Sequence, residues 1–274
     1  MTDQVKYRNE YLLVRSAAET NIGYLLHGAI EQHGHMRIAD VGTGTGIWLR
    51  ELAEALPENC QLDGFDLSDA MFPSQDELPR NIKFYHQNLL EPFPTELIGQ
   101  YDVVNIRLMV VALSAGEWGP AVRNLMTLLK PGGCLQWIDC IAHECVIKGV
   151  PEGKQANHAF YFHDLFRRVL ISLGKTPNIA ALHGIFQDSG LEACEEDIIT
   201  LDRPSAREEL SLTVVDGINN CLTAALGLHE LDQVESVDEI QQLREKALGD
   251  LHSTGCYYCY DAYVILGRKA GVTN

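Results

Sequence analysis

Basic residues are scarce in this chain of 274 residues. Lys and Arg total 21 against 38 for Asp and Glu, which gives a formal net charge of −17. No basic stripe is left to neutralise a phosphate backbone, so we expect neither nucleic acid nor an anionic membrane surface as a partner. The acidic balance would also suit a cationic substrate, although an acidic surface more often serves solubility.

Long apolar runs are missing as well. The chain starts with the charged segment MTDQVKYR, and no apolar run approaches the ~18 residues that a membrane span needs. We therefore expect a cytoplasmic protein. Its eight cysteines are spread through apparent core elements, so reduced thiols are expected, and the pair Cys256 and Cys259 lacks a second pair with ligand spacing, which predicts no metal site.

Strand-like and helix-like segments alternate along the chain, with short connections and no internal repeat. This pattern predicts an α/β fold of the Rossmann-like type, a mostly parallel sheet of seven strands with helices on both faces. The predicted strands are residues 36–41, 61–66, 82–86, 101–106, 134–139, 192–201 and 256–268. The predicted helices are residues 47–56, 117–130, 156–173, 178–189, 205–228 and 237–251.

The two ends of this pattern predict the domain organisation. Helical spacing over residues 7–33 indicates one or two helices before the first strand, so we assign residues 1–35 to an N-terminal helical segment. Residues 36–274 then form one domain. Its helical insertions, at about 150–190 and 204–254, exceed a minimal nucleotide-binding unit, and we assign them to a cap over the substrate.

A glycine-rich turn joins the first predicted strand to the first helix in residues 37–48, RIADVGTGTGIW. Gly42, Gly44 and Gly46 keep side chains off the turn, so the backbone can approach a ligand at the carboxyl end of the strand. Asp66 ends the next strand about twenty residues later, where a carboxylate can accept hydrogen bonds from both ribose hydroxyls. The combination predicts a nucleoside site.

The spacing within the turn bears on which nucleoside binds. A dinucleotide turn has its third glycine three positions after the second, and Ile47 stands at that position here. Asp40, just before the turn, would repel a pyrophosphate but suits the ammonium group of a methionine moiety. Both features favour S-adenosylmethionine over NAD.

The chain resembles the class I S-adenosylmethionine-dependent methyltransferases, and more narrowly those of fungal secondary metabolism. The similarity lies in five segments of the first half: GYLLH at 23–27, RIADVGTGTGIW at 37–48, LDGFDLS at 62–68, YDVVNIRL at 101–108 and LKPGGCLQW at 129–137. Two positions depart from the family pattern, because Asn88 stands where the family usually has Asp, and Gly28 where it usually has Pro. An Asn amide still offers a donor and an acceptor to adenine.

The resemblance implies roles for individual residues. The methionine part of the cofactor would be held by Asp40, Gly42, Thr43, Gly44 and Gly46, the ribose by Asp66 and Leu67, and the adenine by Asn88 and Leu89. Further candidate cofactor contacts are Arg107 after the fourth strand and, from the N-terminal helices, Tyr11, Arg15 and Tyr24.

The sequence is less informative about the substrate. A base would help to remove the proton of a hydroxyl acceptor, and His143, just beyond a central strand, is the best-placed candidate, although a surface-loop histidine is the commoner case. Candidate substrate contacts are Trp137, His158, Tyr161 and Phe162, and for aromatic residues a core role is the alternative.

Together these features predict methyl transfer from S-adenosylmethionine to an O, N or S atom of a small molecule. The alternative is a protein of the same fold that binds the cofactor without methyl transfer, as a regulator, a partner subunit or a pericyclase-like catalyst. An NAD-dependent oxidoreductase is disfavoured by the turn. Exchange of the N-terminal helices or the cap between protomers leaves a homodimer open.

Overall fold

The computed structural model of the chain describes residues 26–31, 33–175, 179–200, 202, 204, 207–227 and 234–271. A seven-stranded sheet is its centre. The strands are β1 Arg37–Val41, β2 Gln61–Asp66, β3 Ile82–His86, β4 Tyr101–Arg107, β5 Leu129–Cys140, β7 Leu191–Thr200 and β9 Asp261–Lys269, and their order in the sheet is β3-β2-β1-β4-β5-β9-β7. The pairs among β1 to β5 are parallel, and β9 runs antiparallel to both of its neighbours. The predicted fold class is confirmed.

Helices cover both faces of this sheet. The six α-helices of the described residues are α1 Ile47–Ala55, α2 Trp118–Leu128, α3 Asn157–Ser172, α4 Leu182–Asp188, α5 Arg207–Gly227 and α6 Val237–Thr254. α2 and α4 pack on one face, while α1 and residues 26–30 pack on the other. Because helices cover both faces of the sheet, nearly all residues of β1 and β4 are buried, instead of every second one.

The remaining three helices form a separate core, which we call the helical cluster. It consists of α3, α5 and α6 together with a two-stranded sheet of β6 Val146–Lys148 and β8 Tyr257–Cys259. Phe162, Leu222 and Tyr258 are fully buried within it. Both predicted insertions therefore contribute helices to one compact unit, while α4, from the first of them, packs against the main sheet.

Several element boundaries differ from the predictions. The strand predicted at 256–268 is two strands, because Tyr257–Cys259 pairs with Val146–Lys148 and Asp261–Lys269 enters the main sheet. The helix predicted at 117–130 ends at Leu128, since Leu129 already pairs with Tyr101 of β4. The helix predicted at 178–189 is a 3₁₀ turn, Ile179–Ala181, followed by α4.

The predicted N-terminal helices lie mostly outside the described residues. Residues 26–31, which fall within that prediction, form turns on the sheet instead of a helix. Leu26 and Ile30 are buried there against α1. No helix among the described residues is both long and apolar enough to cross a membrane.

Candidate cofactor site

The glycine loop after β1 has the backbone that glycine favours. Gly42, Gly44 and Gly46 have φ of 72°, 54° and 68°, in the left-handed region where a Cβ is strained. A Cβ on Gly46 would clash with the Phe84 ring, and one on Gly42 would lie 2.9 Å from the Met109 sulfur, whereas Gly44 has no neighbour closer than 3.6 Å. Gly46 is thus required for packing, whereas a Cβ on Gly44 would make only an ordinary contact with the Met71 methyl group and would otherwise face open space.

That open space belongs to a cavity of about 480 Å³ at the carboxyl ends of β1, β2 and β4. Parallel α/β sheets bind their ligands at this edge. Eight of the predicted cofactor residues line the cavity: Gly42, Thr43, Gly44, Asp66, Leu67, Asn88, Leu89 and Arg107. Asp40 and Gly46 are not among the lining residues, and Tyr11, Arg15 and Tyr24 lie outside the described part of the chain.

Asp66 ties the end of β2 to the glycine loop. Its Oδ2 accepts a hydrogen bond from the Gly44 N–H at 2.8 Å, and its Oδ1 accepts one from the Ser68 N–H at 3.1 Å. A carboxylate offers about four acceptor positions. Asp66 therefore orders the loop and keeps acceptors for the hydroxyls of a ligand.

Asn88 and its neighbours shape the wall of the cavity beyond β3. The Asn88 side-chain oxygen accepts from the Leu90 N–H at 3.0 Å, which closes a tight turn, and the Gln87 amide donates to the Asn88 carbonyl at 2.9 Å. The Asn88 NH₂ group lies 3.4 Å from the Glu91 carboxylate, a long contact. This donor remains the side-chain group of Asn88 with the most freedom to meet a ligand.

Asp40 lies directly beneath the loop and is buried. Its carboxylate accepts hydrogen bonds from the Thr43 hydroxyl and the Asn105 amide, both at 2.8 Å. Burial raises the pKa of Asp40, while Arg107 and the two hydrogen bonds act in the opposite direction. Asp40 thus acts on the cavity through its electrostatic field and through its hydrogen bond with Thr43, which lines the cavity.

A second buried carboxylate, Asp139 at the end of β5, fixes the turn that follows β4. Its Oδ2 accepts from the Met109 N–H at 2.8 Å and from the Trp137 indole at 3.1 Å, and its Oδ1 accepts from the Cys140 N–H at 2.9 Å. Leu108, in this turn, has a φ of 55°, unusual for leucine. Burial raises the pKa of Asp139 to about 7 against these hydrogen bonds.

The structure places two of the predicted substrate contacts in hydrophobic cores. Trp137 is fully buried and stacks on Trp118 with ring centroids 5.0 Å apart, and Phe162 is fully buried in the helical cluster. Both are core residues because they supply large apolar surfaces to tight packing. Neither lines the cavity.

The other candidates near the substrate lie at the surface or beside it. His158 starts α3, where its N–H donates to Asp250 at 2.7 Å, and Tyr161 is partly exposed on the same helix. His143 is in a 3₁₀ turn after β5, with its Nε2 3.9 Å from a Glu144 oxygen. None of these three lines the cavity.

Several lining residues escaped sequence reasoning. They are Ser68, Met71, Gln87, Leu90, Ala112, Leu113, Glu117 and Lys175. Lys175 follows α3, and its amine donates to the Ala112 carbonyl at 2.6 Å, so it joins the end of the helical cluster to the cavity rim. Gly174, with a φ of 64°, signals the helix end in the sequence, but no local pattern gives the partner of the lysine.

Comparisons with known proteins agree with this geometry. A family model described as a methyltransferase domain matches residues 38–133. The methyltransferase grgD of a Penicillium species is 32% identical over 257 residues, which cover 89% of this chain and 87% of grgD. The N-methyltransferase tcpN of Claviceps purpurea is 28% identical, over 85% of this chain and 83% of tcpN.

Solved structures share the fold at low identity. The phosphoethanolamine N-methyltransferase 2 of Haemonchus contortus, in complex with S-adenosyl-L-methionine, aligns with a TM-score of 0.53 and 15% identity, over 96% of this chain and 52% of that one. The [4+2]-cyclase SpnF aligns with a TM-score of 0.54 and 16% identity, over 95% and 81%.

The extended similarity to grgD, on a sheet of this order with a glycine loop and a spaced acid, shows that the chain belongs to the class I S-adenosylmethionine-dependent methyltransferases. S-adenosylmethionine is accordingly its cofactor, as the glycine spacing and Asp40 predicted.

Proposed function

We propose that this protein is an enzyme of the EC 2.1.1 type that methylates an O, N or S atom of a small secondary-metabolite-like acceptor. One observation carries the proposal: the open face of Gly44 and the carboxylate of Asp66 meet in a single cavity at the strand ends. Its volume of about 480 Å³ is in the range of small-molecule sites. The bound cofactor supplies a methyl group on a sulfonium, which is already activated for displacement.

The lining residues fit this cofactor. Asp66 keeps acceptors for ribose hydroxyls, and the Asn88 amide lines the cavity and offers a donor to adenine. Asp40 places a carboxyl group under the loop, near the expected ammonium group. Arg107 and Lys175 bring positive charge to the same cavity, where they can bind the carboxylate of the cofactor's methionine part.

Among the three acceptor atoms, nitrogen is best supported. The titratable residues that line the cavity, within the described part of the chain, are Asp66, Arg107, Glu117 and Lys175, and His143 is not one of them. A neutral amine attacks without prior loss of a proton, so its methylation needs alignment and exclusion of water more than a base. The name of tcpN as an N-methyltransferase points the same way.

The first experiment is titration calorimetry with S-adenosylmethionine, S-adenosylhomocysteine, NAD and NADP in parallel. Binding of the two sulfur compounds alone supports the assignment of the cavity, and a screen of amine, phenol and thiol acceptors by mass spectrometry then identifies the accepting atom. Binding of a nicotinamide nucleotide would overturn the assignment.

A second candidate function is cofactor binding without methyl transfer. The [4+2]-cyclase with the same fold favours keeping this alternative, because it shows that the architecture also serves another reaction. Cofactor binding with no methylated product from any acceptor class would favour it. Methylation of one acceptor with normal turnover would exclude it.

We further infer a cytoplasmic protein that acts on a small molecule and pairs with neither nucleic acid nor membrane. The net charge of −17 supports this part of the proposal. Fluorescence microscopy of a tagged protein tests the location, and sedimentation analysis tests for a homodimer.

A further inference from the structure

A row of buried polar side chains crosses the sheet beneath the glycine loop. Asp40 on β1 is paired in register with Asn105 on β4, which is paired with Gln136 on β5. Their exposed fractions are 2%, 0% and 0%. Burying a polar group in such a sheet costs free energy unless the group is hydrogen-bonded, so the presence of polar side chains at these three positions requires an explanation.

Three hydrogen bonds along the row run in one direction. The backbone N–H of His27 donates to Gln136 Oε1 at 2.7 Å, the Gln136 amide donates to Asn105 Oδ1 at 2.8 Å, and the Asn105 amide donates to Asp40 Oδ1 at 2.8 Å. A backbone N–H can only donate, and an ionised carboxylate can only accept. These two ends therefore fix the orientation of both amides, with the NH₂ of each directed towards Asp40.

The far end of the row is anchored at the edge of the sheet. The His27 ring lies 3.2 Å from the Asp197 carboxylate on β7, and its other nitrogen accepts from the Ala29 N–H at 3.2 Å. The position of residues 26–31 is thereby linked, through two amides, to the carboxylate under the loop.

Ionisation of Asp40 depends on its surroundings. Burial raises its pKa, and Asp66 does so as well, whereas Arg107 and the hydrogen bonds from Asn105 and Thr43 lower it. Within the described part of the chain, Arg107 and Asp66 are the charged groups whose fields act on it. Loss of one donor shifts this balance towards the protonated acid.

We propose that Asn105 and Gln136 are positioning residues for the cofactor, which orient the Asp40 carboxyl group beneath the glycine loop and favour its ionised form. The inference rests on the role given to Asp40 under the proposed function, the attraction of the cofactor's ammonium group. Neither amide lines the cavity, so each acts through its neighbour in the row.

The test replaces Asn105 by leucine, a similar shape without a donor, and uses two ligands. S-adenosylhomocysteine carries the ammonium group, and 5′-methylthioadenosine keeps the adenosine but lacks that group. For Asn105→Leu we expect the Kd of S-adenosylhomocysteine to rise about tenfold at neutral pH, the value of a hydrogen bond to a charged group, with the Kd of 5′-methylthioadenosine unchanged.

The pH profile gives a second readout. Because the pKa of Asp40 should rise in Asn105→Leu, the affinity of this variant for S-adenosylhomocysteine should fall more steeply than that of the wild type as the pH is lowered. A purely structural role would weaken both ligands alike and leave the profile unchanged.

Tyr101→Phe is the matched control. Tyr101 is fully buried, and its hydroxyl donates to the buried Asp63 carboxylate at 2.8 Å, so the variant also removes one donor from a buried acid, away from the cavity. We expect it to bind both ligands as the wild type does. Equal weakening of both ligands in Asn105→Leu, or the same ligand selectivity in Tyr101→Phe, would overturn the proposal.

If Asn105→Leu does not fold, Gln136→Met tests the same idea from one position farther away. This variant frees the Asn105 amide to rotate, so a smaller but selective loss of S-adenosylhomocysteine binding is expected, and wild-type binding would contradict the proposal.

Asp40→Asn tests the role of Asp40 separately from the role of the two amides. Wild-type affinity in Asp40→Asn would refute the role of Asp40 itself, whereas weak binding there with normal binding in Asn105→Leu would refute the row alone.

Discussion

The glycine-loop half of the main sheet and the helical cluster use their residues in opposite ways. In the sheet, the strand ends and tight turns leave the cavity open, and glycines with positive φ bring the backbone to its surface. In the helical cluster, large side chains such as Phe162 and Tyr258 are buried in its core, and among the lining residues only Lys175, just after α3, comes from beside it. The sheet region forms the binding cavity, and the helical cluster is a separate hydrophobic core.

This contrast suggests that cofactor affinity and the stability of the helical cluster can be altered separately. The cavity is formed by chain segments whose packing partners lie in the sheet region. The variants described next test whether the two properties can be separated.

Phe162→Ala should have the largest effect on stability. Removal of this fully buried ring from the helical cluster should lower the free energy of unfolding by about 3–5 kcal/mol, through lost burial and the cavity left behind. At a temperature where the variant is folded, the Kd of S-adenosylhomocysteine should stay within about twofold of the wild type. Urea unfolding and calorimetry measure the two quantities.

Phe186→Ala is the counterpart in the sheet region, since Phe186 of α4 is also fully buried. A comparable loss of stability is expected, and in this variant cofactor binding should be lost at the temperature at which the sheet region unfolds. Weak cofactor binding in a well-folded Phe162→Ala would show that the two regions are one cooperative unit.

Gly44→Val should remove cofactor binding. The valine side chain would extend into the open side of the loop and crowd the ligand, which should raise the Kd of S-adenosylhomocysteine roughly 10- to 100-fold. Calorimetry gives the Kd, and urea unfolding gives the accompanying strain at positive φ of about 1–2 kcal/mol.

Gly99→Val controls for that strain. Gly99 has a φ of 69°, no atom lies within 4 Å of the place that a Cβ would take, and the residue lies away from the cavity. The variant should lose similar stability and bind the cofactor normally. If both variants bind equally well, the cofactor does not lie against Gly44.

Asp139 should impose a pH dependence on stability. Its folded-state pKa of about 7 is above the ordinary value of 3.8, so the native state holds a proton that the unfolded state releases between these values. The stability that this group contributes should therefore fall as pH rises through that window, by roughly 1.4 kcal/mol per pH unit, and should level off above it.

Urea unfolding of the wild type and Asp139→Asn at a series of pH values isolates this contribution, because all other groups titrate alike in both proteins. The difference between the two free energies of unfolding should slope below about pH 7 and be flat above it. A difference that does not vary with pH would contradict the assignment.

Gly217→Ala should have the smallest effect, and in the favourable direction. Gly217 lies in α5 with open space around it, so alanine should stabilise the helical cluster by about 0.5–1 kcal/mol and leave cofactor affinity unchanged. Gly255→Ala, at the end of α6 with a φ of 75°, should instead destabilise it. Thermal melts followed by circular dichroism compare the two, and equal shifts would argue against a backbone origin.

Sequence patterns predicted the fold best where local signals and burial agree. β2 and β3 match their predicted bounds, since each is a short segment between turn residues. β6 has only three residues and depends on pairing with β8, so no local pattern could reveal it or the break at Tyr260. Pairing between distant segments, as between Leu129 and Tyr101, is likewise absent from periodicity.

The same division holds for the candidate site. The glycine loop, Asp66 and Asn88 could be predicted from the sequence, because local backbone geometry and the ends of strands determine their positions. Lys175 reaches the cavity only through the packing of α3, and Asp139 reaches the turn at Met109 across two strands. For Trp137 and Phe162, aromatic character alone did not separate a binding surface from a core.

The placement of the tryptophans gives the molecule a built-in optical label. All three of them, Trp48, Trp118 and Trp137, are buried in the sheet region, and the helical cluster has none. Intrinsic fluorescence will therefore report the opening of one half of the protein and be silent about the other. A denaturation curve followed at once by tryptophan emission and by helical ellipticity can distinguish a molecule that melts as a whole from one whose helices come apart first.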